Sequence, residues 1–137
     1  MIAIPMLKLY GATALVFFAI DLVWLGVVAQ GFYQRHLGHL LRADVLWAPA
    51  VLFYALYIAG ILVFAVLPGL DARSLGRTVA LGAFLGLVAY ATFDLTCMAL
   101  LKDFPLVVVV VDLAWGMVLT ASVSAAAYGI ARWLDIP

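Results

Sequence analysis

Four apolar runs constrain this chain more than any other feature of it. They cover roughly Leu9–Ala29, Val45–Leu67, Val79–Leu101 and Leu106–Trp133. At about 1.5 Å of rise per residue, a helix of about 20 residues crosses the hydrocarbon core of a bilayer. Membrane β-strands would be shorter and would alternate polar with apolar positions, and these runs do not alternate. Of the 137 residues, 69% are hydrophobic and 10% charged. A water-soluble domain of that size cannot bury so much apolar surface. The expected fold is therefore all-α: a four-helix transmembrane bundle, one integral membrane domain over residues 1–137.

The punctuation between the runs refines this expectation. Pro68-Gly69 is expected to end the second span, and Pro105 to open the fourth, where a missing N–H does no harm. Only Lys102-Asp103-Phe104 precedes Pro105, so spans three and four must form an antiparallel hairpin. The first run has some marks of a cleaved signal, with Lys8 before it and Val27-Val28-Ala29 at its end. It is longer than a signal's apolar core and carries Asp21, so it reads as a retained span. Gly31–Asp44 is the one sizeable polar stretch, in which Phe32, Leu37, Leu40 and Leu41 recur at helix-like intervals. That pattern predicts a short amphipathic surface helix between spans one and two.

Charge excludes some roles and biases the orientation. Seven Lys+Arg balance seven acids, which leaves no basic surplus for nucleic acid. The single cysteine, Cys97, allows no intrachain disulfide. Lys8, Arg73, Arg77 and Arg132 lie on one side of the spans, and Arg35, Arg42 and Lys102 on the other. With the α-amine, this asymmetry favours cytoplasmic termini. Trp47 and Trp133, near span ends, suit an interfacial aromatic belt.

Inside the spans stand three acids: Asp21, Asp94 and Asp112. Each costs about 2.5–3.5 kcal/mol at a helix centre, so each is expected to face the bundle interior. Nine residues separate Asp21 from Gln30, eight separate Asp94 from Lys102, and nine separate Asp112 from Asp103. All three therefore lie about 12–14 Å below the same membrane face. Tyr54, ten residues past Asp44, falls in that layer. Gly82, Gly86, Tyr90 and Asp94 share one face of span three; Asp112, Gly116, Thr120 and Ser124 share one face of span four. Small residues at this spacing let membrane helices approach closely, which predicts Asp94 beside Asp112.

No Lys or Arg within the spans offsets these acids, so the layer should hold protons, bind a cation, or pair with a group reaching in. Tyr54, Tyr90, Trp24 and Trp115 could each donate to a carboxylate, and their rings could flank an organic cation. Asp21–Trp24 and Asp112–Trp115 share the i, i+3 spacing. Arg35, His36 and His39 are placed to gate the mouth. No metal site is assigned, because His36-x-x-His39 on a surface helix is more often solvated than ligating. Nor is any cofactor expected, since no cofactor fingerprint is present. Ser122, Ser124 and Cys97 lack the sequence context of a nucleophile.

The chain resembles the domain of unknown function 2177 family of small bacterial membrane proteins. The matching pieces are Asp21-Leu-Val-Trp-Leu-Gly26, Gly31-Phe-Tyr33 with Leu37-Gly38, and Tyr54-x-x-Tyr57-x-x-Gly60. They continue with Tyr90-x-x-x-Asp94-Leu-Thr96 and Asp112-Leu-Ala-Trp-Gly116. The resemblance implies a four-span protein of the bacterial inner membrane and supplies no activity. An Asn that commonly follows Asp-Leu-Thr in that family is Cys97 here, and a nearby Thr is Leu100, which removes two polar groups from beside Asp94.

The leading functional reading is binding, extending to translocation, of a proton or small cationic solute at the acid layer. The alternative is an accessory subunit whose polar layer sets helix register and docks another membrane protein. A third reading is a membrane-embedded enzyme acting on a lipid or isoprenoid, with paired carboxylates as acid and base; no motif indicates a reaction. The expected surroundings are the lipid bilayer and either a homo-oligomer or a larger membrane complex.

Overall fold

A computed structural model describes residues 3–137. Met1 and Ile2, and with them the α-amine counted toward orientation, lie outside the described residues. Helix α1 (Ala3–Val23) runs on as a π-helical turn, Trp24–Val28, and bends into α2 (Gln30–Leu37). Span two is assembled from α3 (Trp47–Ile61), a second π-helical turn (Leu62–Val66) and α4 (Leu67–Asp71). The hairpin follows, as α5 (Leu75–Leu100) and α6 (Leu106–Trp133). Among the described residues there is no strand. The four stretches Ala3–Val27, Trp47–Asp71, Leu75–Leu100 and Leu106–Trp133 are long and apolar enough to cross a membrane. The protein is a four-span helical membrane protein.

Three boundaries differ from the sequence expectation by four residues or more, one of them the start of span three, which lies at Leu75 and not Val79. Span one begins at Ala3, not Leu9, because Pro5 falls in the first turn, where its missing N–H is harmless, and exposed Lys8 continues the helix. Span two does not end at Pro68-Gly69. The preceding π turn changes the hydrogen-bond register, and Pro68 then enters at the start of α4, where helices accept proline. The true connection is the turn Ala72–Ser74, with Arg73 in the left-handed region (φ 52°) and Ser74 N–H donating to Gly69 O at 3.0 Å. Ser74 then caps α5, its Oγ accepting from Arg77 N–H at 3.0 Å. Gly69 is required here because a Cβ would occupy the Thr78 side chain.

The expected surface helix is α2, shorter than the polar stretch, and residues after Leu37 pass through turns to Leu46. The predicted hairpin is the best-packed pair in the bundle. A Cβ on Gly86 would strike the Gly116 carbonyl, and one on Gly116 would strike the Tyr90 ring. The backbones of α5 and α6 therefore touch through the two glycine faces read from the sequence. Around this pair, α6 packs on α1, α5 packs on the Leu62–Asp71 part of span two, and α3 leans on α1. Tyr10 Oη donates to Ala55 O at 2.8 Å across the α1–α3 seam. The buried apolar core, including Leu9, Phe17, Ile58, Ile61, Leu119 and Val123, fills the half of the bundle away from α2. Leu15, Val27, Leu56, Phe84 and Leu100 stay exposed on the outside, as a bundle dissolved in lipid requires.

Candidate functional site

The α2-side half of the bundle holds a cavity of about 390 Å³ in place of a packed core. Its walls include Asp21 and Trp24 from span one, Tyr54 from α3, Tyr90 and Asp94 from α5, and Asp112 and Trp115 from α6. All seven residues assigned to the polar layer thus line one space. The volume lies within the usual range for small-ligand sites, about 300–1,000 Å³. Beneath it, Tyr57 and Thr120 share a hydrogen bond of 2.7 Å between their hydroxyls. Phe17 packs edge-on to Tyr54 and Tyr57, with ring centroids 5.8 and 6.0 Å away. These contacts separate the cavity from the apolar core.

The acids are buried: Asp94 is 1% exposed, and Asp21 and Asp112 are each 8% exposed. They do not form a single knot. Asp94 and Asp112 adjoin one another across the α5–α6 seam, while Asp21 faces the Trp115 indole and the Tyr54 hydroxyl. Among the described residues, no three His, Cys, Asp or Glu side chains are grouped closely enough to hold a metal ion. Neither oxygen of Asp94 has a hydrogen-bond partner, nor does the buried Trp115 Nε1. Buried polar atoms are nearly always paired, and an unpaired ionised carboxylate is the costliest exception. The cavity wall therefore carries an unmet demand for a proton, a hydrogen-bond donor or a positive charge.

The two Asp-x-x-Trp pairs interlock. Trp24 and Trp115 stack with centroids 4.3 Å apart and planes 8° from parallel. Because α1 and α6 run in opposite directions, each indole reaches toward the acid of the other helix. Trp115 turns to Asp21, and Trp24 lies beside the Tyr33 hydroxyl that holds Asp112.

Tyr33 is the polar lining residue that the sequence did not point to; Leu25, Phe53, Ala89 and Phe93 are the unassigned apolar ones. Tyr33 stands on α2, lines the cavity, and donates a hydrogen bond to Asp112. Burial, followed by its bond to Asp112, raises the Tyr33 phenol above its ordinary 10.0. Its only sequence signal was its place in Gly31-Phe-Tyr33. Arg35, His36 and His39, expected to gate the mouth, are not among the lining residues. Arg35 Nε donates to Gly31 O at 3.4 Å, and His36 Nδ1 lies 2.9 Å from Phe32 O; both bonds lie within α2. His39 is exposed in the turn that follows. The π turn Trp24–Val28 explains this placement: it brings α2 back over the bundle with the Tyr33 face inward.

The family model described as "Predicted membrane protein (DUF2177)" matches residues 6–129, a segment that contains every residue of the cavity. No curated protein and no solved structure matches the chain.

Proposed function

We propose a function for a chain that belongs to the domain of unknown function 2177 family of predicted membrane proteins: the intramembrane cavity binds a small cation, with a proton as its competitor at the carboxyls. The observation that carries this reading is Asp94, which is 1% exposed and has no hydrogen-bond partner on either oxygen. A register-setting polar layer would pair each acid with a donor, whereas Asp94 has only a second carboxyl beside it.

The chemistry of the walls favours an organic cation over a hard metal ion. Hard cations take six or more oxygen ligands, and here the acids are divided between two groups. Seven aromatic residues line the same space, Trp24, Tyr54, Tyr90 and Trp115 among them. Their electron-rich faces attract an ammonium group, most strongly where water is displaced. In this mechanism the ammonium takes the place of the proton between Asp94 and Asp112, and Tyr33 holds Asp112 in position from α2. The inner-membrane setting that the family resemblance implies, with the cytoplasmic termini that the Lys/Arg bias favours, would put the cavity in the outward half of the bilayer.

Butylammonium added to the protein in lipid vesicles tests the reading. Binding beside the indole stack should change the fluorescence of Trp24 and Trp115, and Asp94→Asn should abolish the response. Equal responses in the two proteins would reject cation binding at this site.

A further inference from the structure

The rim of the cavity bears on which cations reach it. Tyr33 covers the α2 side. Elsewhere the lining includes Leu25, Phe53 and Phe93, which are 44%, 49% and 60% exposed. They belong to span one, α3 and α5, on surfaces that in a bilayer meet acyl chains. The opening follows from how span two packs. Its Leu62–Asp71 part lies against α5, but α3 leans on α1 and scarcely meets α5. Toward the α2 face, a cleft remains between α3 and α5, with Phe53 on one wall and Phe93 on the other.

Resting on the cation-binding reading above, we propose that the ligand is an amphiphilic amine dissolved in the membrane. It enters sideways through the α3–α5 cleft, its ammonium passing to Asp94 while its alkyl chain stays between Phe53 and Phe93. A hydrophilic cation on this route would shed its water among acyl chains before meeting a counter-charge. An alkylamine already in the leaflet needs only to slide its head inward. Its chain exchanges one apolar neighbour for another at little cost, and its head gains an acid with no hydrogen-bond donor beside it. A neutral alcohol of equal length can donate one hydrogen bond to Asp94 but brings no counter-charge, so it gains much less there.

A dodecylamine carrying a photoreactive diazirine midway along its chain, incorporated in vesicles with the full-length protein, tests this directly. Illumination should label Phe53 or Phe93, as mapped by mass spectrometry. Excess dodecylamine should remove the labelling, an equal excess of dodecanol should remove far less of it, and Asp94→Asn should lose it. The dodecanol comparison needs no variant, so it stands even if Asp94→Asn fails to fold. Labelling of the cleft that both competitors displace equally overturns the inference, because charge then plays no part. A butylammonium response without amine-specific labelling of the cleft also overturns it, whether the label moves to Tyr33 and α2 or is absent; cation binding then stands. Loss of both the labelling and the butylammonium response overturns the two readings together.

Discussion

Replacing Gly86 with alanine should loosen the bundle at the point on which the carboxyl pair depends. A Cβ there would fall well inside contact distance of the Gly116 carbonyl and 2.9 Å from Thr120 Oγ1. The Thr120 side chain can turn aside, although it would surrender its 2.7 Å bond to Tyr57. The Gly116 carbonyl is helix backbone and cannot. Ordinary contact needs about 3.5 Å or more, so α5 and α6 must separate by about an ångström. Overpacking of this kind costs about 1–3 kcal/mol, and a backbone-to-backbone clash belongs at the upper end. Alanine returns up to about 1 kcal/mol of helix propensity. The expected net loss is about 2 kcal/mol, on the order of a 30-fold change in the folded-to-unfolded ratio. Gly129→Ala is the matched control: it lies on α6 with nothing within 4 Å of the added atom, so it should gain stability. Unfolding by denaturing detergent, followed by circular dichroism, reads both variants on one scale. Equal midpoints for Gly86→Ala and Gly129→Ala would refute the close-approach argument. Because Asp94 lies two turns along α5 from Gly86, the destabilised variant should also lose its butylammonium response.

Asp94→Asn, in contrast, should leave the unfolding midpoint unchanged or raised, since it removes an unmet buried carboxyl; a midpoint lowered by as much as Gly86→Ala would show that Asp94 is structurally satisfied. Trp24→Leu should cost about 0.5–1.5 kcal/mol beyond the lost burial and remove the near-ultraviolet dichroism of the stacked pair; an unchanged spectrum would contradict the stacking. Tyr33→Phe should release α2, read as faster amide exchange over residues 30–37 with little change in the exchange of α5 and α6. The Tyr33 phenol binds its proton more tightly folded than unfolded. Its contribution is therefore complete below about pH 10 and falls as the pH rises further. A phenolate absorbance titration should accordingly show no Tyr33 ionisation at or below its ordinary 10.0, and a step there that disappears in Tyr33→Phe would refute the dock.

The parts of this structure that could be read from the sequence follow from helix arithmetic. Counting from Gln30, Lys102 and Asp103 placed the three acids at one depth because a fixed rise per residue needs no tertiary knowledge. Gly82, Gly86 and Gly116 likewise revealed the α5–α6 contact, since i, i+4 spacing alone puts the first two on the Asp94 face of α5 and the third on the Asp112 face of α6. Two of the misses come from departures from regular α-helix. Trp24–Val28 and Leu62–Val66 form π turns within uniformly apolar sequence, where side-chain pattern gives no hint of a changed hydrogen-bond register. The first turn sets where α2 lies, and so it decides that Tyr33, and not Arg35, His36 or His39, reaches the cavity. The second carries span two past Pro68 to Asp71. The division of the acids into an Asp94–Asp112 pair and a separate Asp21 was also illegible, because equal depth says nothing about distance around the bundle.

The short link Leu101–Pro105 between α5 and α6 has a consequence for biosynthesis. Two successive helices joined so tightly can partition from the translocation machinery together, as one folded finger. Asp94 and Asp112 then enter the hydrocarbon already facing each other, so neither need be exposed to lipid on the way in. A longer link would let the helices arrive one after the other, each carrying a solitary acid against the full insertion barrier.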